Sequence, residues 1–295
     1  MRHNAAAPVK RAGWLGLTIA AIGLWGLYGI ALKLASQLSP VAGQLLSTAG
    51  LLLPALFLIG SVARERRSTA GLFVGFISGV CGALGNFTVL ASLNAGGKAA
   101  IVFPLTSLYP LITVVVAVLF MRERARRGQA IGITLAVVSV LLLSLDVTAS
   151  YARVELQLSR SLLYAFAALV AFGLAAVFQK VATNRVSAET AFATFAAGFI
   201  PSLILILFLE PLSVNLPVAP ALWAIAGGLL NGLGVLATLA AYRRGGKASV
   251  VTPLAAIYPV LTVILAVMFL GERVATLQIA GITLALIGGV LLSRE

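Results

Sequence analysis

The sequence predicts an all-helical integral membrane protein with ten transmembrane helices, arranged as two inverted five-helix repeats. Three observations predict this fold: the composition, the regular spacing of apolar stretches, and an internal repeat. Of the 295 residues, 61% are hydrophobic and 10% are charged. A soluble domain carries roughly 25% charged residues, so the lipid bilayer is the expected surrounding of most of this chain.

The net charge of +13 does not indicate a nucleic-acid partner. The basic residues lie in short clusters between apolar stretches, whereas a nucleic-acid-binding protein gathers them on one face with aromatic residues between them. The single cysteine, Cys81, cannot form an intrachain disulfide. No group of residues has metal-ligand spacing, and no phosphate loop or nucleophile motif occurs. We therefore expect no metal, no cofactor and no enzymatic activity.

About 20 apolar residues cross the hydrocarbon core of a bilayer. The first apolar stretch is longer than the core of a signal peptide, and it is interpreted as a retained helix. The predicted spans are 14–35, 41–63, 70–93, 98–121, 127–146, 161–182, 188–210, 219–242, 247–270 and 275–293. The first repeat is expected at 1–146, a periplasmic linker at 147–160, and the second repeat at 161–295.

The positions of Lys and Arg predict the orientation, because cytoplasmic loops are enriched in both. With both termini in the cytoplasm, 16 of the 21 Lys and Arg residues fall on the cytoplasmic side. These basic residues lie at 2–11, 64–67, 122–127, 180–185, 243–247 and 294. The asymmetry favours ten spans with both termini inside.

An internal repeat relates the two halves. The motif Gly-Gly-Lys-Ala occurs at 96–99 and again at 245–248, an offset of 149. At the same offset, the segment 132–136 has the same five residues as 281–285, and about half of positions 96–144 are identical to their partners. Apolar composition alone would not align Pro, Lys, Glu and Gln, so the repeat is a duplication.

The beginning of each half matches more weakly. Trp25-Gly26 and Lys33 align with Phe172-Gly173 and Lys180 at an offset of 147. Each repeat therefore contains five helices, and since five is odd, the second copy is inverted in the membrane. The loop charges agree, because the Arg-rich loop 122–127 has a copy at 271–276 that retains Arg273 as its one basic residue.

These motifs resemble those of the drug/metabolite transporter superfamily, and most of all its EamA-type members. The resemblance rests on Pro110 with Glu123 and Pro259 with Glu272, followed by Gly132 and Gly281. It covers nearly the whole chain, 14–293. It implies a central cavity surrounded by helices 1–4 and 6–9, with helices 5 and 10 as a buttress. It also implies a multi-pass inner (plasma) membrane protein of bacterial type that is an exporter or facilitator of small metabolites, often amino acids.

Four prolines are candidates for helix breaks with a gating role. A proline removes one backbone hydrogen bond, and the freed carbonyl needs a partner or a water-lined cavity in the membrane. Matched breaks therefore indicate either a binding cavity at the repeat interface or tolerated structural kinks. Tyr109 and Tyr258 stand beside them and are expected either to contact substrate or to satisfy a freed carbonyl. The four prolines are Pro104, Pro110, Pro253 and Pro259.

Polar and aromatic residues inside the predicted spans are the other candidates for substrate binding. An unpaired amide in hydrocarbon costs several kcal/mol, so each must face protein or water. Asn86 and Asn231 lie in corresponding helices and are expected either to bind substrate or to join helices. The remaining candidates are Trp25, Tyr28, Gln44 and Gln179.

Charged residues near the helix ends have ordinary expected roles. Lys33 is predicted to extend to the lipid headgroups or to meet an anionic group at the outer mouth. Glu123 and Glu272 are expected to form local ion pairs at helix ends, beside Arg124 and Arg273. No Asp or Glu falls in the middle of a predicted span, so the sequence shows no carboxylate proton relay.

The leading hypothesis is a secondary transporter that exports a small neutral or zwitterionic metabolite, such as an amino acid, by alternating access through a cavity between the repeats. Efflux of amphipathic cationic drugs is the first alternative, although it favours an acid within the membrane. Flipping of a lipid-linked substrate is the second. A homodimer is compatible with the sequence, but nothing indicates one.

Overall fold

A computed structural model describes residues 13–62, 68–112, 115, 127–146, 155–156, 159–209, 216–246, 251 and 254–292. The predicted all-helical fold is confirmed, with ten helices in this part of the chain. The helices of the first half are α1 (Gly13–Ala35), α2 (Pro40–Val62), α3 (Thr69–Asn94), α4 (Ala99–Thr106) and α5 (Arg127–Ser144). Those of the second half are α6 (Arg160–Thr183), α7 (Ala188–Leu209), α8 (Val218–Arg243), α9 (Tyr258–Leu270) and α10 (Thr276–Leu292).

Two short strands lie between the halves. β1 (Leu145–Asp146) and β2 (Glu155–Leu156) pair in antiparallel fashion, with Leu145 opposite Leu156 and Asp146 opposite Glu155. The predicted fifth span, 127–146, therefore ends as helix at Ser144, and its last two residues extend into the strand pair.

Six of the described helices are long enough and apolar enough to cross a membrane, and four shorter apolar helices accompany them. The outer surface of these helices also indicates that they lie in a membrane. Phe57 is 88% exposed and Phe208 is 84% exposed, and Met268 and Phe269 also project outward. Exposed side chains of this size would be costly in water, whereas lipid tails accommodate them.

Corresponding helices of the two repeats make corresponding contacts. Helix α1 packs against α8, and its repeat counterpart α6 packs against α3. Likewise α2 packs against α8, and its counterpart α7 packs against α3. Three further pairs, α2 with α7, α4 with α9 and α5 with α10, each join a helix to its own counterpart. An approximate two-fold relation therefore connects the halves, and most of the helix packing is between the repeats.

Close contacts reproduce this relation at the level of single residues. The Trp25 ring lies over Gly234, where an added Cβ would come 2.5 Å from Trp25 Nε1. Its counterpart Phe172 lies over Gly85, where an added Cβ would come 2.6 Å from the Phe172 ring. Both glycines thus let an aromatic ring of the other repeat approach the helix backbone. The weak match at offset 147 therefore reflects a shared packing arrangement.

Helices α5 and α10 show that the repeats are inverted. Near the start of α5, Gly132 lies beside Leu292 at the end of α10. At the opposite end of the pair, Gly281 lies beside Leu143, and the Ser139 hydroxyl donates to the Gly281 carbonyl at 2.8 Å. The two helices therefore run antiparallel. Since they are repeat counterparts, one repeat is upside down relative to the other.

The two glycines of the Gly-Gly-Lys-Ala motif form the same turn in both repeats. Gly96 has a φ of 91° and Gly245 a φ of 88°, a left-handed conformation that glycine adopts without steric cost. The second glycine of each motif, Gly97 or Gly246, donates its N–H to the carbonyl five residues earlier at 3.0 Å. A Cβ there would crowd that same carbonyl oxygen. The turn thus requires both glycines.

Candidate substrate-binding site

A buried group of hydrogen-bonded side chains joins the first three helices of the first repeat. We call it the amide network; it consists of Tyr28, Gln44, Ser47, Thr48 and Asn86. The Tyr28 hydroxyl donates to Asn86 Oδ1 at 2.7 Å. Asn86 Nδ2 donates to Gln44 Oε1 at 2.6 Å and to Ser47 Oγ at 2.9 Å. Gln44 Nε2 donates to Thr48 Oγ1 at 3.4 Å.

The amide network is closed to solvent. Tyr28 is 5% exposed, Gln44 0% and Asn86 1%. Both ends of the Asn86 amide are engaged by protein groups, so a substrate reaching Asn86 would have to displace an existing bond. A buried amide without partners costs roughly 2–7 kcal/mol. The observed bonds therefore account for why these polar side chains are stable inside an apolar bundle.

A second polar group lies between the repeats. We call it the aromatic–amide cluster; it consists of Trp25 of α1, Asn231 of α8 and Tyr258 of α9. Trp25 Nε1 donates to Asn231 Oδ1 at 3.2 Å. The rings of Trp25 and Tyr258 meet edge to face, with centroids 5.8 Å apart. All three side chains keep part of their surface accessible, which distinguishes this cluster from the amide network.

Further phenol groups converge on this cluster. Tyr109 has Tyr242 and Tyr258 among its neighbours, and Tyr28 has Tyr258. The Tyr258 side chain is also within hydrogen-bonding reach of Thr106. Tyr242 was not among the predicted residues. It is the residue before the last of a long apolar helix, where the sequence offers no signal that it lies near the other tyrosines.

The backbone is interrupted next to two of the predicted prolines. Helix α4 ends at Thr106, and helical structure resumes at Pro110 after a turn at 107–109. In the second repeat a turn at 256–257 precedes α9, with Pro259 near its first position. At the first break the α-helical hydrogen bonds give way to bonds between residues three apart. The N–H of Tyr109, for example, donates to the Thr106 carbonyl at 3.1 Å. The two breaks occupy equivalent places, and Tyr109 and Tyr258 lie at these breaks.

The remaining predicted residues lie elsewhere or outside the described part. Pro104 is buried inside α4, and the Ser107 hydroxyl donates to its carbonyl at 2.7 Å. Pro253 lies outside the described residues. Gln179 lies in α6, and its buried Nε2 has no hydrogen-bond partner among the described residues.

Thr262 contributes to the site without having been predicted. Its buried hydroxyl donates to the Gly26 carbonyl at 3.1 Å and so fixes α9 against α1. Gly26 allows this approach, because a Cβ there would come 2.5 Å from Leu261. The Trp25-Gly26 pair was a visible signal for α1, but nothing in the sequence indicated that its neighbour is α9 of the other repeat.

A third polar group lies at one end of the bundle, and here the predicted partner of Glu272 was wrong. We call it the carboxylate latch; it consists of Lys33, Gly97, Ala99, Ala100 and Glu272. Glu272 was expected to form a local ion pair beside Arg273. Its Oε1 instead lies 3.8 Å from Lys33 Nζ, and its two oxygens accept the N–H groups of Ala99 and Ala100.

Lys33 is likewise held by protein. Its Nζ donates to the Gly97 carbonyl at 2.6 Å in addition to the contact with Glu272. Lys33 was expected to reach either the lipid headgroups or an anionic group. Its observed partner is the anionic side chain of Glu272, in the second repeat. Glu123 lies outside the described residues, and so does the side chain of Lys180.

Comparison with known proteins agrees with this architecture. The sequence pattern of the EamA-like transporter family matches residues 12–145 and again residues 159–294. An uncharacterised protein of Methanocaldococcus jannaschii is 40% identical over 70 residues, which make up 24% of this chain and 50% of that protein. The chain thus matches about half the length of this curated relative.

A solved crystal structure of another protein has a similar fold. It superposes with a TM-score of 0.62 over 96% of this chain and 98% of its own, at 20% sequence identity. At this identity the likeness concerns the fold alone. The family pattern covers both repeats and most of the chain. The chain therefore belongs to the EamA-like transporter family, within the drug/metabolite transporter superfamily.

Proposed function

We propose that the protein is a secondary transporter that exports a small neutral or zwitterionic organic molecule, such as an amino acid, by alternating access between its two repeats. The aromatic–amide cluster carries the proposal. It combines Trp25 of the first repeat with Asn231 and Tyr258 of the second, and it stays partly accessible inside the bundle. Transporters of inverted-repeat design bind substrate at broken helices on the repeat interface, which is where this cluster lies.

The chemistry of the cluster supports an uncharged or charge-balanced ligand. Asn231 offers an amide, the tyrosines offer hydroxyls, and Trp25 and Tyr258 offer flat apolar faces. An amphipathic cation would also find aromatic faces attractive. A cation site deep in a membrane favours a carboxylate, however, and the described helix interiors around this cluster contain none.

Ligand-induced stabilisation tests this proposal. The purified protein is heated with each of the common amino acids and, separately, with the lipophilic cation tetraphenylphosphonium, since a ligand that binds the folded state raises its melting temperature. We expect stabilisation by one or more amino acids and none by the cation. Stabilisation by the cation alone would favour drug efflux, and stabilisation only by phospholipid would favour lipid flipping.

The orientation remains part of the same proposal. The distribution of Lys and Arg supports placing both termini in the cytoplasm. It assigns the end of the bundle with the turns 95–98 and 271–275 to the extracytoplasmic side. On this proposal the protein is a multi-pass protein of a bacterial-type inner membrane, and it exports its substrate from the cytoplasm.

A further inference from the structure

The carboxylate latch joins the two repeats at one end of the bundle. Glu272 lies in the turn between α9 and α10, in the second repeat. Its Oε1 accepts the Ala99 N–H at 2.8 Å and its Oε2 accepts the Ala100 N–H at 2.9 Å. Both donors belong to the first turn of α4, in the first repeat. A single carboxylate therefore connects the start of one broken helix to the end of its counterpart.

The partners of the Glu272 carboxylate in this contact are N–H donors and a cation. The first N–H groups of a helix have no partner within the helix, and the helix dipole places partial positive charge there. The N-cap residue of α4, Lys98, makes no side-chain capping bond, so Glu272 caps the helix from the other repeat. Lys33 adds a full positive charge 3.8 Å away, while only 8% of the Glu272 side chain is exposed.

A second bond reinforces the same junction. Lys98 Nζ donates to the Arg273 carbonyl at 2.7 Å, again from the first repeat to the second. Lys33 Nζ meanwhile binds the Gly97 carbonyl, which ties the end of α1 to the turn before α4. Three parts of the bundle thus meet at this point: the end of α1, the start of α4 and the α9–α10 turn.

The broken helices link the carboxylate latch to the site. Helix α4 runs from Ala99 to the break that presents Tyr109, and α9 runs from Tyr258 to the turn that holds Glu272. At a rise of about 1.5 Å per residue, the 13 residues of α9 place the latch about 20 Å along the helix from Tyr258. The latch is therefore outside the aromatic–amide cluster but on the same two helices.

We propose that the carboxylate latch is the extracytoplasmic gate of the transporter: the bonds of Glu272 to α4 and Lys33 form when that face is closed and break when it opens. This inference rests on the proposed transport function and orientation. Alternating access requires the repeats to separate at one face at a time, and bonds that join them at that face must then break. In this structure the latch is formed, so the gate is closed.

Thiol labelling tests the gate without a transported substrate. Cys81→Ala removes the native thiol, and Asn231→Cys reports on access to the site from outside the cell. A membrane-impermeant maleimide should label this cysteine slowly. Glu272→Gln and, independently, Lys33→Met weaken the latch and should speed labelling by about fivefold or more, the lower end of typical coupling between sites. Arg273→Gln, in the same turn, should leave the rate unchanged.

Two further measurements separate opening from unfolding and from failure of the proposed function. A cysteine at Ala285, fully buried in α10, must stay unlabelled in both latch variants. If neither variant changes labelling at Asn231→Cys while Ala285→Cys stays protected, the latch is a static contact and the gate proposal fails. Absence of any stabilising ligand in the thermal screen would instead count against the transport function. The labelling experiment needs no ligand, so its result does not depend on that screen.

Discussion

Two asparagines occupy corresponding helices of the repeats, yet their surroundings differ. Asn86 is 1% exposed, and both ends of its amide are bonded within the first repeat. Asn231 is half-buried, and its Oδ1 accepts a hydrogen bond from Trp25 of the other repeat. The Asn86 amide therefore holds helices of a single repeat together, whereas the Asn231 amide lies between the repeats, at the proposed binding site.

This difference teaches that a polar residue inside a membrane helix does not by itself indicate a binding site. In both cases hydrocarbon would penalise an unpaired amide. Asn86 avoids that penalty through Tyr28, Gln44 and Ser47, which lie on neighbouring helices. Asn231 is half-buried, and its Oδ1 accepts the hydrogen bond of the Trp25 indole. The two residues therefore support different predictions when each is replaced.

The largest effect is expected for Asn86→Ala. The substitution leaves the Tyr28 hydroxyl and the Gln44 carbonyl oxygen buried without their present partner. It should lower the free energy of unfolding by about 2–3 kcal/mol, because unsatisfied buried polar groups carry this order of cost. Thermal unfolding of the purified protein measures it. Asn231→Ala is the matched control and should lower the melting temperature far less; an equal drop would remove the distinction between the two regions.

The next effect concerns ligand affinity. Trp25→Phe removes the indole donor and introduces the residue found at the repeat counterpart, Phe172, while Asn231→Ala removes the amide. Each should weaken binding of the amino acid that stabilises the parent most, by about 0.5–1.5 kcal/mol or up to tenfold. Isothermal calorimetry measures the affinity. Unchanged affinity in both variants would mean that the ligand binds away from the aromatic–amide cluster.

The fold was largely predictable from the sequence because the two repeats share glycines and prolines, residues with strict backbone requirements. The two Gly-Gly-Lys-Ala turns have nearly the same φ at Gly96 and Gly245. The helix interruptions precede Pro110 and Pro259, at equivalent places. Glycine and proline act through the local backbone, so their positions identify turns and breaks without knowledge of the tertiary contacts.

The site was less predictable because its contacts join distant parts of the chain. Nothing near Glu272 in the sequence indicates that its carboxylate caps α4, and the adjacent Arg273 suggested a local partner instead. Similarly, the sequence cannot say that Tyr28 faces Asn86 while Trp25, one helical turn earlier, faces Asn231. Which face of a helix meets which neighbour is determined by packing between the repeats.

A smaller contrast is expected between two tyrosines. Tyr28→Phe removes the hydroxyl that donates to Asn86 Oδ1 and should lower the free energy of unfolding by about 1 kcal/mol, with little change in affinity. Tyr258→Phe should do the reverse, weakening ligand binding with a smaller change in melting temperature. Calorimetry and thermal unfolding of both variants give the comparison. Identical profiles for the two tyrosines would show that the clusters do not differ in role.

The smallest effects are expected on the buttress helices. Thr134 and Thr283 are exposed repeat counterparts, and each hydroxyl donates to a carbonyl one turn earlier on its own helix. Thr134→Val and Thr283→Val should therefore change both stability and affinity by less than about 0.5 kcal/mol. A loss of affinity equal to that of Asn231→Ala would place the ligand on helices α5 and α10.

The central claim is that two inverted repeats cross the membrane in opposite directions with the site between them. Ala95 and Arg244 test it most directly, because they occupy the same exposed position in the two Gly-Gly turns, at the repeat offset of 149. In the Cys81→Ala background, Ala95→Cys should react with an impermeant maleimide added outside whole cells. Arg244→Cys should react only after the membrane is opened. Equal labelling of both positions in intact cells would contradict the account.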